Sequence, residues 1–188
     1  PSEYSDAMAA LRGFANSTLS SSVVFSAGMN PRLYGYCETV SEFYPDESGS
    51  QRKKIILKVS DFRSAMIQGK FLAKKGLWIS EFRIESGLNC GGHAFATDGL
   101  LLGPILEEFK MKRTQLTEEL FSICNSALGE KGKTIFKNIP EVRITVQGGI
   151  GTHQEDKFLR DFYSLDGTGW GSPFLLVPEA TNVDEATL

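Results

Sequence analysis

The chain has 188 residues, an apolar fraction of 41%, a charged fraction of 23% and a formal net charge of −3. That length suits a single domain over 1–188. The acidic balance leaves no electrostatic footprint for nucleic acid, and no apolar run approaches the ~20 residues needed to cross a bilayer. Three cysteines, Cys37, Cys90 and Cys124, show neither a CxxC pair nor metal-type spacing. They point to a reducing, cytoplasmic setting and to no metal site.

In chain order, Ala7, Met8, Leu11, Phe14 and Ala15 fit one face of a helix, and NSTLSSS after them reads as a loop. Residues 23–27, VVFSA, form a short β-branched run ended by Gly28 and Asn30-Pro31, which predicts a buried strand. Residues 31–52 are irregular and close on the turn-forming PDESGSQ, while residues 54–59, KIILKV, make a strong strand. Ser60 is placed to cap a helix carrying Phe62, Ala65, Met66, Leu72 and Ala73, with Gly76 at its carboxyl end. A third strand starts near Leu77 and carries Ile79, Phe82 and Ile84, completing a βαβ unit.

Two helices are expected next, one over 100–109 and one over 114–128, followed by a basic loop to Pro140. Residues 142–147 are the fourth strand, and Thr152 with Glu155 makes a T-x-x-E capping box for a helix bearing Phe158, Leu159 and Phe162. The fifth strand runs through Trp170 toward Phe174, Leu175, Leu176 and Val177. Alternating strands and helices imply a parallel sheet with helices outside it. Five such units are too few for a closed eight-strand barrel, so the sheet is either open or the last part of a barrel. The missing initiator methionine and the helix-like NVDEATL ending predict a fragment.

Three strands run into glycine: Gly87 with Gly91-Gly92 before His93, Gly148-Gly149 with Gly151, and Gly167 with Gly169 and Gly171. In parallel α/β folds ligands bind at the carboxyl ends of strands, so these clusters predict one shared anionic ligand. Gly148, Gly149 and Gly151 lead into a helix amino terminus, where amide groups and the helix dipole favour phosphate. Gly169, Gly171 and Ser172 after the last strand could add amide and hydroxyl donors. His93 is the candidate general base, since neutral imidazole near pH 7 suits proton abstraction from a carbon acid. His153 reads as a surface residue. Asn89, Lys58 and Ser26 could hold polar ligand atoms, Lys58 being equally readable as a solvated edge charge. Cys90 is a weaker candidate nucleophile with no visible activating neighbour.

The run Gly87-Leu88-Asn89-Cys90-Gly91-Gly92-His93 resembles the G-x-E-A-G-G-H motif of the flavin-dependent nitronate monooxygenase family, and Gly148-Gly149-Ile150 resembles its later G-G-I. Gly171-Ser172-Pro173-Phe174-Leu175 is loosely similar to its G-T-x-F-L. The resemblance covers residues 20 to 180 and implies strands four to eight of a (β/α)8 TIM barrel that binds FMN. It implies His93 as base on a small-molecule carbon acid. Gly149, Gly151, Gly171 and Ser172 would hold the phosphate, with Gly91, Gly92, Gly148 and Lys58 also on the cofactor and Asn89 and Cys90 toward the substrate. Asn89-Cys90 replaces the family's acidic-alanine pair, about fifty residues separate His93 from the next strand, and Trp170 adds a ring near the phosphate. The substrate is therefore not carried over. A flavin-dependent enoyl reductase of the same barrel class, or a non-catalytic flavin or phosphate module, remain alternatives, and the oligomeric state is not legible.

Overall fold

Hydrophobic strands flanked by amphipathic helices assemble into a mixed α/β fold whose five-stranded parallel sheet curls like half a barrel. The structure, a computed structural model, describes residues 5–85, 89–90, 93–94 and 101–175. The strands of the main sheet are β1 (Ser21–Phe25), β2 (Lys53–Val59), β3 (Ile79–Ile84), β6 (Arg143–Gln147) and β7 (Gly167–Gly169), lying in the order β1-β2-β3-β6-β7. Two-residue strands β4 (Asn89–Cys90) and β5 (His93–Ala94) form a separate antiparallel pair. The helices are α1 (Asp6–Ala15), α2 (Pro31–Glu38), α3 (Phe62–Ala73), α4 (Leu102–Glu130), α5 (His153–Tyr163) and the short α6 (Ser172–Leu175).

Several boundaries differ from the sequence reading, each for a local reason. Asn30-Pro31 starts a helix instead of merely ending a strand: the Asn30 side chain accepts from the Leu33 amide at 3.3 Å, and Pro31 stands where its missing N–H costs nothing. Asp61, not Ser60, caps α3, accepting from the Ser64 amide at 2.7 Å. The two helices expected between 100 and 128 are one 29-residue helix, because the polar KMKRT stretch between their apolar faces has good helix propensity and nothing to break it. The fifth strand spans only Gly167–Gly169, and the chain then turns into α6, so Phe174 is not in a strand.

One face of the sheet is covered by helices. Ile55, Leu57 and Val59 of β2, Phe82 and Ile84 of β3 and Ile144 and Val146 of β6 share one buried cluster with Leu72 of α3 and with Leu106, Phe109, Leu116 and Leu120 of α4. Helix α3 meets α4 closely at Gly69, where an added Cβ would stand 2.9 Å from a methyl of Leu120. The other face is polar. Registered residues of parallel neighbours point the same way, so the pairs Ile56↔Glu81, Glu81↔Arg143, Lys58↔Arg83 and Arg83↔Thr145 place charged side chains in rows on this open face. A bulge between Ile55 and Ile56 makes Ser80 the extra residue, and its hydroxyl donates to the Ile55 carbonyl at 2.9 Å.

Candidate functional site

All five strands are parallel, so their carboxyl ends form one rim, and β3, β6 and β7 lie side by side along it. The strand-end glycines of β6 and β7 are joined directly: the Gly148 amide donates to the Gly169 carbonyl at 3.1 Å. Gly148 and Gly149 both take positive φ, 92° and 72°, a conformation that a Cβ would strain. Gly169 stands beside Gln147 in register, and a Cβ there would lie 2.8 Å from the Gln147 Cβ. Glycine at 169 therefore serves strand packing. The amides of Gly149 and Gly171 have no acceptor among the described residues, and Gly149 is exposed.

On the open face next to this rim, Lys58 Nζ pairs with Glu85 Oε2 at 2.8 Å, and the Gln147 amide nitrogen donates to the same carboxylate. Glu85 is buried, and its amide donates to the Val59 carbonyl at 2.8 Å, which extends the β2–β3 ladder by one residue. Lys58 thus reaches the rim with its charge already matched. Sequence reasoning missed Glu85 and Gln147. The available signal was spacing: Glu81, Arg83 and Glu85 alternate along β3 as Lys54 and Lys58 do on β2, which is how one polar face of a strand reads.

The amino terminus of α5 departs most from a ready phosphate cradle. Glu155 Oε2 accepts from the Gly151 amide and the Thr152 amide, both at 2.9 Å, and from the Thr152 hydroxyl at 3.0 Å. Thr152 in turn accepts from the Glu155 amide, completing the capping box. The Gly151 hydrogen bond, and after it those from Thr152, hold the Glu155 carboxyl below its ordinary pKa. Asp156 is held low as well, first by the Thr168 hydroxyl and then by Arg160. Trp170 Nε1 donates to that same Thr168 hydroxyl at 3.1 Å, which ties the residue after β7 to α5. The first turn of α5 is therefore occupied by an anion of its own chain.

The His93 segment follows Glu85 by a few residues, and its backbone register sets Cys90 opposite His93 and Asn89 opposite Ala94. Gly91 and Gly92 lie outside the described residues, as do the side chains of Asn89, Cys90, His93 and Ser172. His153, the first residue of α5, is exposed, in line with its reading as a surface residue. Cys37 and Cys124 are buried free thiols, each pushed up to about 12 by burial, so both stay protonated and unreactive near neutrality. Among the described residues no group of three acidic, histidine or cysteine side chains could hold a metal, and no helix is long and apolar enough to cross a membrane.

Fold and rim together define an α/β protein with a helix-covered parallel sheet, glycine-ended strands and a charged open face. No family model, curated protein or solved structure matches the chain, so its function is argued from these residues.

Proposed function

We propose that the chain is the cofactor-binding part of an FMN-dependent oxidoreductase of the nitronate monooxygenase kind, its five strands being the fourth to eighth of a (β/α)8 barrel. The supporting observation is the adjacency of β3, β6 and β7, which sets the carboxyl end of β3, from which the sequence runs on to His93, on one rim with both glycine turns. Bound flavin would supply the two-electron acceptor. Gly149 and Gly171 fit a phosphate through their unengaged amides, with Ser172 adding a hydroxyl. Gly151 fits only if Glu155 leaves its amide. The imidazole of His93 removes the α-proton of a small carbon acid, with Asn89 and Cys90 beside it. Lys58, held by Glu85, orients polar atoms of the cofactor and does not neutralise the phosphate.

The test is the visible spectrum of the protein as purified and during titration with FMN, followed by turnover on a small neutral nitroalkane, whose α-carbon still carries the proton that His93 would remove. We expect a bound-flavin spectrum, and His93→Ala is expected to retain flavin while losing turnover about 100-fold or more, the scale of a lost general base. A folded protein that neither carries nor binds FMN overturns the reading. Flavin binding without turnover that His93→Ala can abolish leaves a non-catalytic flavin module in its place.

A further inference from the structure

Thr168 is the one residue of β7 that is not glycine. It stands in register with Val146, whose side chain belongs to the helix-covered cluster, while Gly167 and Gly169 stand beside Thr145 and Gln147. Strand alternation therefore turns the Thr168 side chain away from the open face and toward α5. There its hydroxyl donates to Asp156 Oδ1, which also accepts from Arg160 Nε at 3.1 Å, and it accepts from the Trp170 indole N–H at 3.1 Å.

The direction of this chain of bonds is fixed by chemistry. An indole N–H can only donate, so the Thr168 oxygen accepts from it and must send its own proton elsewhere. An ionised carboxylate only accepts, and hydrogen bonds to it are about twice as strong as neutral ones. Asp156 meets both needs, and with its side chain 18% exposed it does so largely out of water.

What the chain of bonds restrains is backbone. Trp170 lies between Gly169, whose carbonyl accepts from the Gly148 amide at 3.1 Å, and Gly171, whose carbonyl accepts from the Phe174 amide at 3.1 Å. Glycine has no side chain with which to fix its own peptide and the widest backbone freedom of any residue. Trp170 supplies the missing anchor, its ring packed against the core cluster and its N–H held by Thr168. The Gly171 amide follows directly after that anchor. Through the bond from Gly148 to Gly169, the same anchor reaches the β6 turn that carries the Gly149 amide.

We infer that Asp156 and Thr168 are positioning residues of the rim: acting through Trp170, they hold the Gly149 and Gly171 amides at the spacing that grips one phosphate. This rests on the phosphate reading of the rim given above. Thr168→Val keeps the shape of the side chain and removes the hydroxyl, and Thr168→Ser puts the hydroxyl back. Each protein is titrated with FMN, unfolded with denaturant, and examined without ligand by an amide proton–nitrogen correlation spectrum. We expect Thr168→Val to weaken FMN binding about tenfold, the scale of one hydrogen bond, and to displace the Gly149 and Gly171 amide resonances. Thr168→Ser should stay close to the unsubstituted protein in both. Asp156→Ala should match Thr168→Val in affinity, Asp156→Asn, which keeps an acceptor oxygen, should lose less, and joining Asp156→Ala to Thr168→Val should add little, since one chain of bonds carries both effects. A role in stability alone would lower the denaturation midpoint and leave the FMN dissociation constant and the two glycine amides where they were. That outcome overturns the inference, and so does a Thr168→Ser protein as weak as Thr168→Val. Because the spectrum needs no ligand, the two readings fail separately: a folded protein that binds no FMN sinks the flavin reading, and Gly149 and Gly171 resonances unmoved by Thr168→Val sink the positioning role.

Discussion

Glu155 carries two opposed consequences in one carboxylate. It caps α5 by accepting from Gly151 and Thr152, and it fills the anion seat that a phosphate at the same helix end would use. Folding lowers its pKa, so the cap stabilises the protein above the ordinary carboxylate range and is lost as pH falls through the depressed native value. Glu155→Ala should therefore lower the thermal midpoint near neutral pH, and the gap to the unsubstituted protein should close on acidification. The same substitution frees two amides, so FMN, if it binds this rim, should bind more tightly to the less stable protein. A thermal melt series and a flavin titration read the two effects separately, and a gap independent of pH would count against the cap. The capping box itself was legible in the T-x-x-E spacing of Thr152 and Glu155. Its cost to the glycine cluster was not, because local spacing does not reveal that the same oxygen reaches one residue past the cap, to the Gly151 amide.

Among the elements, α4 does more than cover the sheet. Arg113, near its middle, donates to Asp166 Oδ2 at 2.7 Å and to the Val142 carbonyl at 2.8 Å. Asp166 also accepts from the Ile144 amide at 2.6 Å. Helix α4, the start of β6 and the residue before β7 are thus clamped by one ion pair. Removing the carboxylate leaves an arginine and a strand amide without their acceptor, so Asp166→Ala should destabilise the fold by roughly 1–3 kcal/mol. Chemical denaturation measures the loss, and the double variant with Arg113→Ala should lose less than the sum of the two single losses, since the ion pair is shared and only the Arg113 bonds to the Val142 and Ser164 carbonyls remain to be lost. Reading α4 as two helices hid this clamp, because Arg113 falls in the polar stretch taken as the break. Strand β7 was equally opaque: three residues, two of them glycine, carry no hydrophobic period, and Phe174 drew the expected strand past its end.

For the whole molecule, the alternation of apolar strands with amphipathic helices was enough to read a parallel sheet, since only crossovers of that length join parallel neighbours. Which strand lies beside which was not readable, and that order is what gathers β3, β6 and β7 on one rim. The same order leaves β1 at one edge of the sheet and β7 at the other, neither paired with a further strand among the described residues. Strand β1 is the more adhesive edge: Val24 is 45% exposed and Leu19, just before the strand, 59%. An open edge with apolar side chains is a template for pairing with another chain. The 188-residue chain should consequently self-associate as its concentration rises. Val24→Lys, which adds a charge on that edge without touching the helix-covered core, should shift association to higher concentration while leaving the unfolding midpoint of dilute protein within about 0.5 kcal/mol of its original stability. Sedimentation velocity over a concentration series separates the outcomes. Association that Val24→Lys leaves unchanged would place the contact elsewhere, and a monomer at all concentrations would mean that the β1 edge is protected.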